Sequence, residues 1–275
     1  AWPEEGPQLL FKTEGIGIHI RGYIYPSVPI EKLYSPPDNV VWSVTSSGDY
    51  IYAGVGSNGK VVRYDKEGSV VLAEMGSFCV KALVASADGT LYAGGPDGDI
   101  FTFSTEGTQE KLFSTGEKYV WSLALGSDNT CYVGTGPEGK IYKISPEGTG
   151  ELLFDSEEKH IMALNLNGGN LFAGSSDQGI LYSVDLKTGK GEVLSDIPGK
   201  EILDIASKDN NVYILSGKKA SNKKNQNKGR KPSGKKNPPP RGPGIYSFNT
   251  DTRRTALILE SPKTSILSMT LLSDG

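Results

Sequence analysis

The chain repeats itself, and a repeat constrains a fold tightly, because every unit must solve the same burial problem against its neighbours. Tyr52, Tyr92, Tyr132, Phe172 and Tyr213 follow one another at spacings of 40, 40, 40 and 41 residues. Each follows an apolar residue and precedes Ala, Val or Ile, with glycine two positions on at Gly54, Gly94, Gly134 and Gly174 and Leu215 in the fifth copy. About ten residues upstream runs a second ladder: Val41-Trp42-Ser43-Val44, Val80-Lys81-Ala82-Leu83, Val120-Trp121-Ser122-Leu123, Ile161-Met162-Ala163-Leu164, Ile202-Leu203-Asp204-Ile205 and Ile266-Leu267-Ser268-Met269. Apolar residues at both parities predict a strand buried on both faces. Val61-Val62-Arg63-Tyr64 and Ile141-Tyr142-Lys143-Ile144 predict a third strand, and Glu151-Leu152-Leu153-Phe154 a fourth.

Turn dipeptides such as Asp88-Gly89, Asp97-Gly98 and Glu138-Gly139 separate these runs, and the 35 glycines in 275 residues are nearly double the usual share of about 7%. Each unit is therefore a four-stranded antiparallel meander. A meander cannot bury both faces alone, so neighbours must stack, and radial stacking gives an all-β propeller. Residues 15–20, 23–25 and 31–34 read as the last three strands of a unit whose first strand is 266–272. With the five internal units, this predicts a single domain of six blades with the closing blade shared by both termini; seven would require sequence beyond Gly275.

Taking this single domain as given, no apolar run reaches the roughly 18 residues a membrane-spanning helix needs. The chain begins Ala1-Trp2-Pro3 rather than with methionine, the mark of a processed chain and a pointer to export. Two cysteines make no disulfide framework; Cys131 shares a column with Ile51, Leu91, Leu171 and Val212, which predicts a core thiol. Gly134-Thr135-Gly136-Pro137-Glu138-Gly139 fits the dinucleotide spacing G-x-G-x-x-G, yet a strand rather than a helix is expected after it, so no pyrophosphate site follows. Two histidines, His19 and His160, cannot build a multi-histidine metal centre, and Asp97, Asp99, Asp177 and Asp185 lack the dense alternation of a calcium loop. They are read as turn residues. No metal and no cofactor is expected.

One segment departs from the repeat. Residues 218–243 hold Lys218, Lys219, Lys223, Lys224, Lys228, Arg230, Lys231, Lys235, Lys236 and Arg241 with five prolines and no acidic residue. Such a composition is expected to be a disordered insertion in a blade-five hairpin. Taking its ten positive charges from the formal total of −3 leaves −13 for the rest of the chain. This asymmetry points to attachment to an anionic polymer, against the simpler reading of a solvated loop.

The candidate working face lies where the innermost strands begin. Its entry column includes Tyr119, His160 and Glu201, expected to converge, with Lys81, Trp42 and Trp121 one or two positions along. The competing reading makes the tryptophans blade-to-blade packing, since Met162 and Leu203 share their column. Asp204 replaces Ser or Ala in a small, buried column, and a buried carboxylate needs a partner.

The run Tyr119-Val120-Trp121-Ser122-Leu123-Ala124, then Tyr132-Val133-Gly134-Thr135-Gly136 and Gly139-Lys140-Ile141-Tyr142-Lys143-Ile144, resembles the repeats of bacterial propellers of the tryptophan-aspartate-like or two-component-regulator type. That resemblance implies an exported protein, periplasmic or extracellular. Streptogramin-type lyases and gluconolactonase-like hydrolases are related six-bladed rings, but neither catalytic set maps onto these residues, and fold alone confers no activity. The leading expectation is a non-enzymatic binding or scaffolding propeller whose partner is another protein or a polysaccharide. A metal-dependent lyase or lactonase using His160 and Glu201 is the enzyme alternative, and a sensory or assembly module is a third.

Overall fold

The computed structural model describes residues 16–18, 24–26, 40–76, 79–218, 242–260 and 268–269. A two-stranded hairpin, β1 (Ile16–Ile18) and β2 (Ile24–Pro26), comes first. Five four-stranded antiparallel sheets follow in chain order. The first holds β3 (Val41–Ser47), β4 (Tyr50–Val55), β5 (Lys60–Asp65) and β6 (Gly68–Glu74). The second holds β7 (Leu83–Ala85), β8 (Leu91–Gly94), β9 (Asp99–Phe103) and β10 (Gln109–Ser114). The third holds β11 (Tyr119–Leu125), β12 (Cys131–Gly136), β13 (Lys140–Ile144) and β14 (Gly150–Asp155). The fourth holds β15 (Ile161–Asn167), β16 (Asn170–Ser175), β17 (Ile180–Asp185) and β18 (Gly191–Asp196), and the fifth β19 (Lys200–Lys208), β20 (Asn211–Lys218), β21 (Gly244–Asn249) and β22 (Arg254–Glu260).

Each sheet is a meander with its strands in sequence order, as the turn residues require. Asp97 and Asp177 take positive φ in tight turns, and Asp185 accepts from the N–H groups of Lys187 and Thr188, so these aspartates serve the turns they stand in.

The core lies between sheets rather than within any one of them. Tyr52 and Val61 of the first sheet pack with Leu91 and Phe103 of the second and with Val80 just before it. The same join recurs with Tyr92 and Ile100 against Val120, Cys131 and Ile144, with Tyr132 and Ile141 against Ile161 and Leu171, and with Phe172 and Leu181 against Ile202 and Val212. The repeated glycine follows from this stacking. A β-carbon on Gly94 would lie 2.5 Å from Val120 Cγ1, and one on Gly134 would lie 2.9 Å from Ile161 Cγ2. Each glycine thus admits the first strand of the next sheet at van der Waals contact.

Two sequence readings change. The second strands, not the first, are buried on both faces: β12 is buried throughout, whereas β11 alternates from the exposed Tyr119 to the buried Val120. First strands lie beside one another, β11 between β7 and β15, and are less completely buried than the second strands. The second sheet's first strand also starts later than its apolar run, at Leu83 rather than Val80, although Val80 is fully buried.

Cys131 is a buried thiol, as its column predicts, and neither it nor Cys79 is in a disulfide. Burial pushes the Cys131 thiol up to about 12. Of the expected closing unit, residues 31–34 lie outside the described residues, as do 266–272 apart from Ser268 and Met269.

Candidate functional site

The turn between the second and third strands of each sheet shares an end with the entry to the first strands. In the first sheet Gly56 N–H donates to Val40 O, and in the fourth Ser176 N–H donates to His160 O. The entry loops are held there by repeated contacts. Thr115 Oγ1 donates to Gly98 O and Ser156 Oγ to Gly139 O. Glu117, almost fully buried, accepts from Lys140 Nζ at 2.9 Å and Tyr142 hydroxyl at 3.3 Å. Glu158, its counterpart one repeat on, accepts from Ser175 Oγ and the Gln178 N–H. The sequence reading missed this carboxylate pair, whose signal is the 41-residue spacing of Glu117 and Glu158 two positions before Tyr119 and His160.

Five of the candidates meet on this end. Trp121 Nε1–H donates to His160 Nδ1 at 3.0 Å, the two rings standing edge to face with centroids 5.5 Å apart. The acceptor role leaves Nδ1 without a proton and fixes the imidazole as the Nε2–H tautomer. Tyr119 lies 5.1 Å from Trp121 and 6.2 Å from His160, centroid to centroid. Lys81 Nζ stands over Trp121 at 5.1 Å and over Trp42 at 5.6 Å, inside the range of a cation–π attraction. Trp42 is anchored in turn by its Nε1–H, which donates to Gly56 O at 2.7 Å.

The tryptophans of this column touch neighbouring blades and yet are not fully buried. Trp42 is 37% exposed and Tyr119 36% exposed, and Trp121 and His160 are half-buried. Gly136 is the enabling residue that the sequence reading passed over. A β-carbon there would run into His160 Nδ1 and lie 2.8 Å from Trp121 Nε1. Gly134, Gly136 and Gly139 thus serve, in order, sheet stacking, this ring pair and a positive-φ turn of 59°. The strand β13 that follows confirms that no helix N-terminus is available to hold a phosphate.

Glu201 enters the site end through its backbone, pairing with Gly217 and bridging to Ser176. Asp204 has the partner its column called for. Its Oδ2 accepts from Met269 N–H at 3.0 Å and its Oδ1 from the Ile205 N–H at 2.9 Å. Elsewhere the same column donates to the next sheet, Ser43 Oγ to Val80 O at 2.6 Å and Ser122 Oγ to Ile161 O at 3.4 Å. Asp204 instead accepts, and from the N–H of Met269, three places beyond the ladder position that Val80 and Ile161 fill. Desolvation raises its pKa above the usual carboxylate value, partly offset by the two N–H bonds.

Lys218, assigned from composition to the insertion, is paired through its backbone with Lys200 as the last residue of β20. The remaining basic positions, 219–241, lie outside the described residues. Among the described residues no three His, Cys, Asp or Glu side chains gather as a metal ion would require, and no helix is long and apolar enough to cross a membrane.

No protein-family model and no curated protein sequence matches the chain. Solved structures do. A streptogramin B lyase superposes with a TM-score of 0.61 at 16% identity over 91% of this chain and 76% of its own. The structure of a nidogen/laminin complex matches with a TM-score of 0.61 at 12% identity over 87% and 84%. Virginiamycin B lyase from Staphylococcus aureus gives 0.57 at 16% identity over 72% and 69%. The chain is folded as a β-propeller. At these identities the likeness carries the blade architecture and not the chemistry, so the five sheets are five blades and the site above must be judged on its own residues.

Proposed function

We propose that this protein is a non-enzymatic binding propeller that takes its partner on the strand-entry face. The observation that carries this reading is the arc of exposed Trp42, Lys81 and Tyr119 around half-buried Trp121, in which both indole N–H groups are tied down inside the protein. Side chains fixed in this way lose little further entropy on binding, which suits a recognition surface. The chain leaves β20 at Lys218 beside the entry of β19, so the basic insertion departs from the same end and supplies a cationic tether. An exported location, periplasmic or extracellular, fits a scaffold of this kind.

Six blades complete the reading. Val41 and Val44 on the first blade are 48% and 62% exposed, and Ile258 on the fifth is 54% exposed. Their counterparts in the interior of the array pack against a neighbouring blade. A composite blade from the two termini would cover both surfaces, and the Asp204–Met269 bond supports it. A metal-assisted lyase using His160 and Glu201 is supported only by the likeness in fold to the streptogramin B lyase.

The test is partner capture by the intact chain against Trp42→Ala and Trp121→Ala variants, with metal analysis of the purified protein. Loss of capture in both variants supports the binding face. Turnover of a substrate that depends on a stoichiometric metal overturns it in favour of the lyase.

A further inference from the structure

We infer that Trp121 and His160 form a proton-operated latch on the strand-entry face: Trp121 is held while the imidazole is neutral and is released when Nδ1 takes a proton. As regulation of a binding face, the latch rests on the reading above; as a property of the two rings, it stands on their geometry. An indole N–H can only donate, so Trp121 Nε1–H, 3.0 Å from His160 Nδ1, is held by the lone pair of an unprotonated nitrogen. In an imidazolium both nitrogens donate. Protonation at Nδ1 therefore sets two N–H groups against each other, and turning the ring over puts a C–H where Nδ1 stood, which accepts nothing. The imidazole must leave the indole edge. The Gly136 backbone closes one direction of movement, since even a β-carbon there would meet both rings.

Trp42 provides the contrast within the same face. Its Nε1–H donates to Gly56 O at 2.7 Å, a backbone carbonyl that takes up no proton as the pH falls. Lys81 Nζ stands over both indoles, so acid frees one of the two rings beside it and leaves the other anchored. Charged groups surround the imidazole on several elements. Lys81 lies over Trp121, and Lys118 lies beside Tyr119, whose ring centroid is 6.2 Å from that of His160. Glu157, the buried Glu158 and Lys159 precede the imidazole on its own loop, and Lys159 pairs with Asp177 at 2.9 Å. Glu138 follows Gly136 in the next turn, and Glu201 bridges to Ser176, whose N–H donates to His160 O. The carboxylates favour an imidazolium and the ammonium groups oppose it. The indole bond opposes it as well, and a single substitution removes that contribution alone.

The experiment follows the indole and imidazole resonances of the isotope-labelled full chain by NMR from about pH 8 to about pH 5, the span in which histidine titrates. Loss of signals in Trp121→Phe and His160→Gln makes the assignments. The Trp121 Nε1–H resonance is expected to shift with the midpoint of the His160 imidazole, while the Trp42 resonance stays in place. Trp121→Phe keeps a ring but removes the donor, and is expected to raise the His160 midpoint by about 0.5–1 pH unit, about a 3- to 10-fold gain in proton affinity, the worth of one hydrogen bond. In His160→Gln the Trp121 resonance is expected to lose its pH dependence. Circular dichroism establishes that each variant is folded. With two histidines in the chain, His19→Gln assigns the imidazole signals by elimination if His160→Gln is not folded, and the titration of the parent protein then decides. A Trp121 resonance that ignores the His160 titration overturns the latch and leaves the binding face standing, as do imidazole nitrogen shifts that place the neutral proton on Nδ1. Trp42 moving with the same midpoint as Trp121 also overturns it, because the whole end then loosens in acid. Failure of the binding reading is seen separately, as partner capture that survives Trp42→Ala and Trp121→Ala.

Discussion

Replacing Gly136 by alanine tests the ring pair at the centre of the site. The backbone there is not in the left-handed region, since Gly136 is absent from the positive-φ glycines, so alanine meets no conformational penalty. The penalty is steric. The new methyl group would overlap His160 Nδ1 and lie 2.8 Å from Trp121 Nε1, and one ring must leave. Overpacking of this kind costs about 1–3 kcal/mol, and the lost hydrogen bond adds about 0.5–1.5 kcal/mol. The stiffer unfolded chain returns about 0.4–1 kcal/mol. The net loss is about 0.5–4 kcal/mol, which for a domain of this size lowers Tm by roughly 1–16 °C. Thermal and urea denaturation read the loss, and a cycle with His160→Ala locates it. Removing the imidazole makes room for the methyl group, so the double variant should lose about 1 kcal/mol less than the two single losses combined. A Gly136→Ala protein as stable as the parent, or a cycle additive within about 0.3 kcal/mol, refutes the account of this glycine.

Three further outcomes are expected. Ile161→Ala, which empties a fully buried position between the third and fourth blades, should cost about 2–5 kcal/mol in urea denaturation. Asp204 has a folded pKa raised above 3.8 by desolvation, so the stability it contributes is full below that value and is lost as pH rises through the folded pKa. Unfolding free energies at pH 3 and pH 7 should therefore favour the parent over Asp204→Asn more strongly at pH 3, and the opposite ordering would remove the desolvation argument. Cys131, with its thiol held up at about 12 by complete burial, should react with an aromatic disulfide reagent only as fast as the protein unfolds, while the half-buried Cys79 labels first in the native state.

The repeat period, the four-stranded unit and the turn positions were legible because they depend on local chemistry: alternation along a strand, glycine where φ is positive, and aspartate where a turn needs a backbone acceptor. The core column holding Cys131 was legible for the same reason, since one residue in a register shares the environment of the others. What stacks upon what was not written locally. Tyr119 and His160 stand in one column of the repeat, but nothing in it says that Trp121 reaches His160 across 39 residues, that Gly136 makes room for them, or that Lys81 falls between two indoles from the blades on either side. The alternation of β11 and the complete burial of β12 likewise follow from how neighbouring sheets stack on each. Asp204 shows the division most plainly. A carboxylate in a column of serine and alanine announced that a partner must exist, and only the packed chain, by bringing Met269 N–H to within 3.0 Å, decided which group it is, because that contact joins residues 65 positions apart.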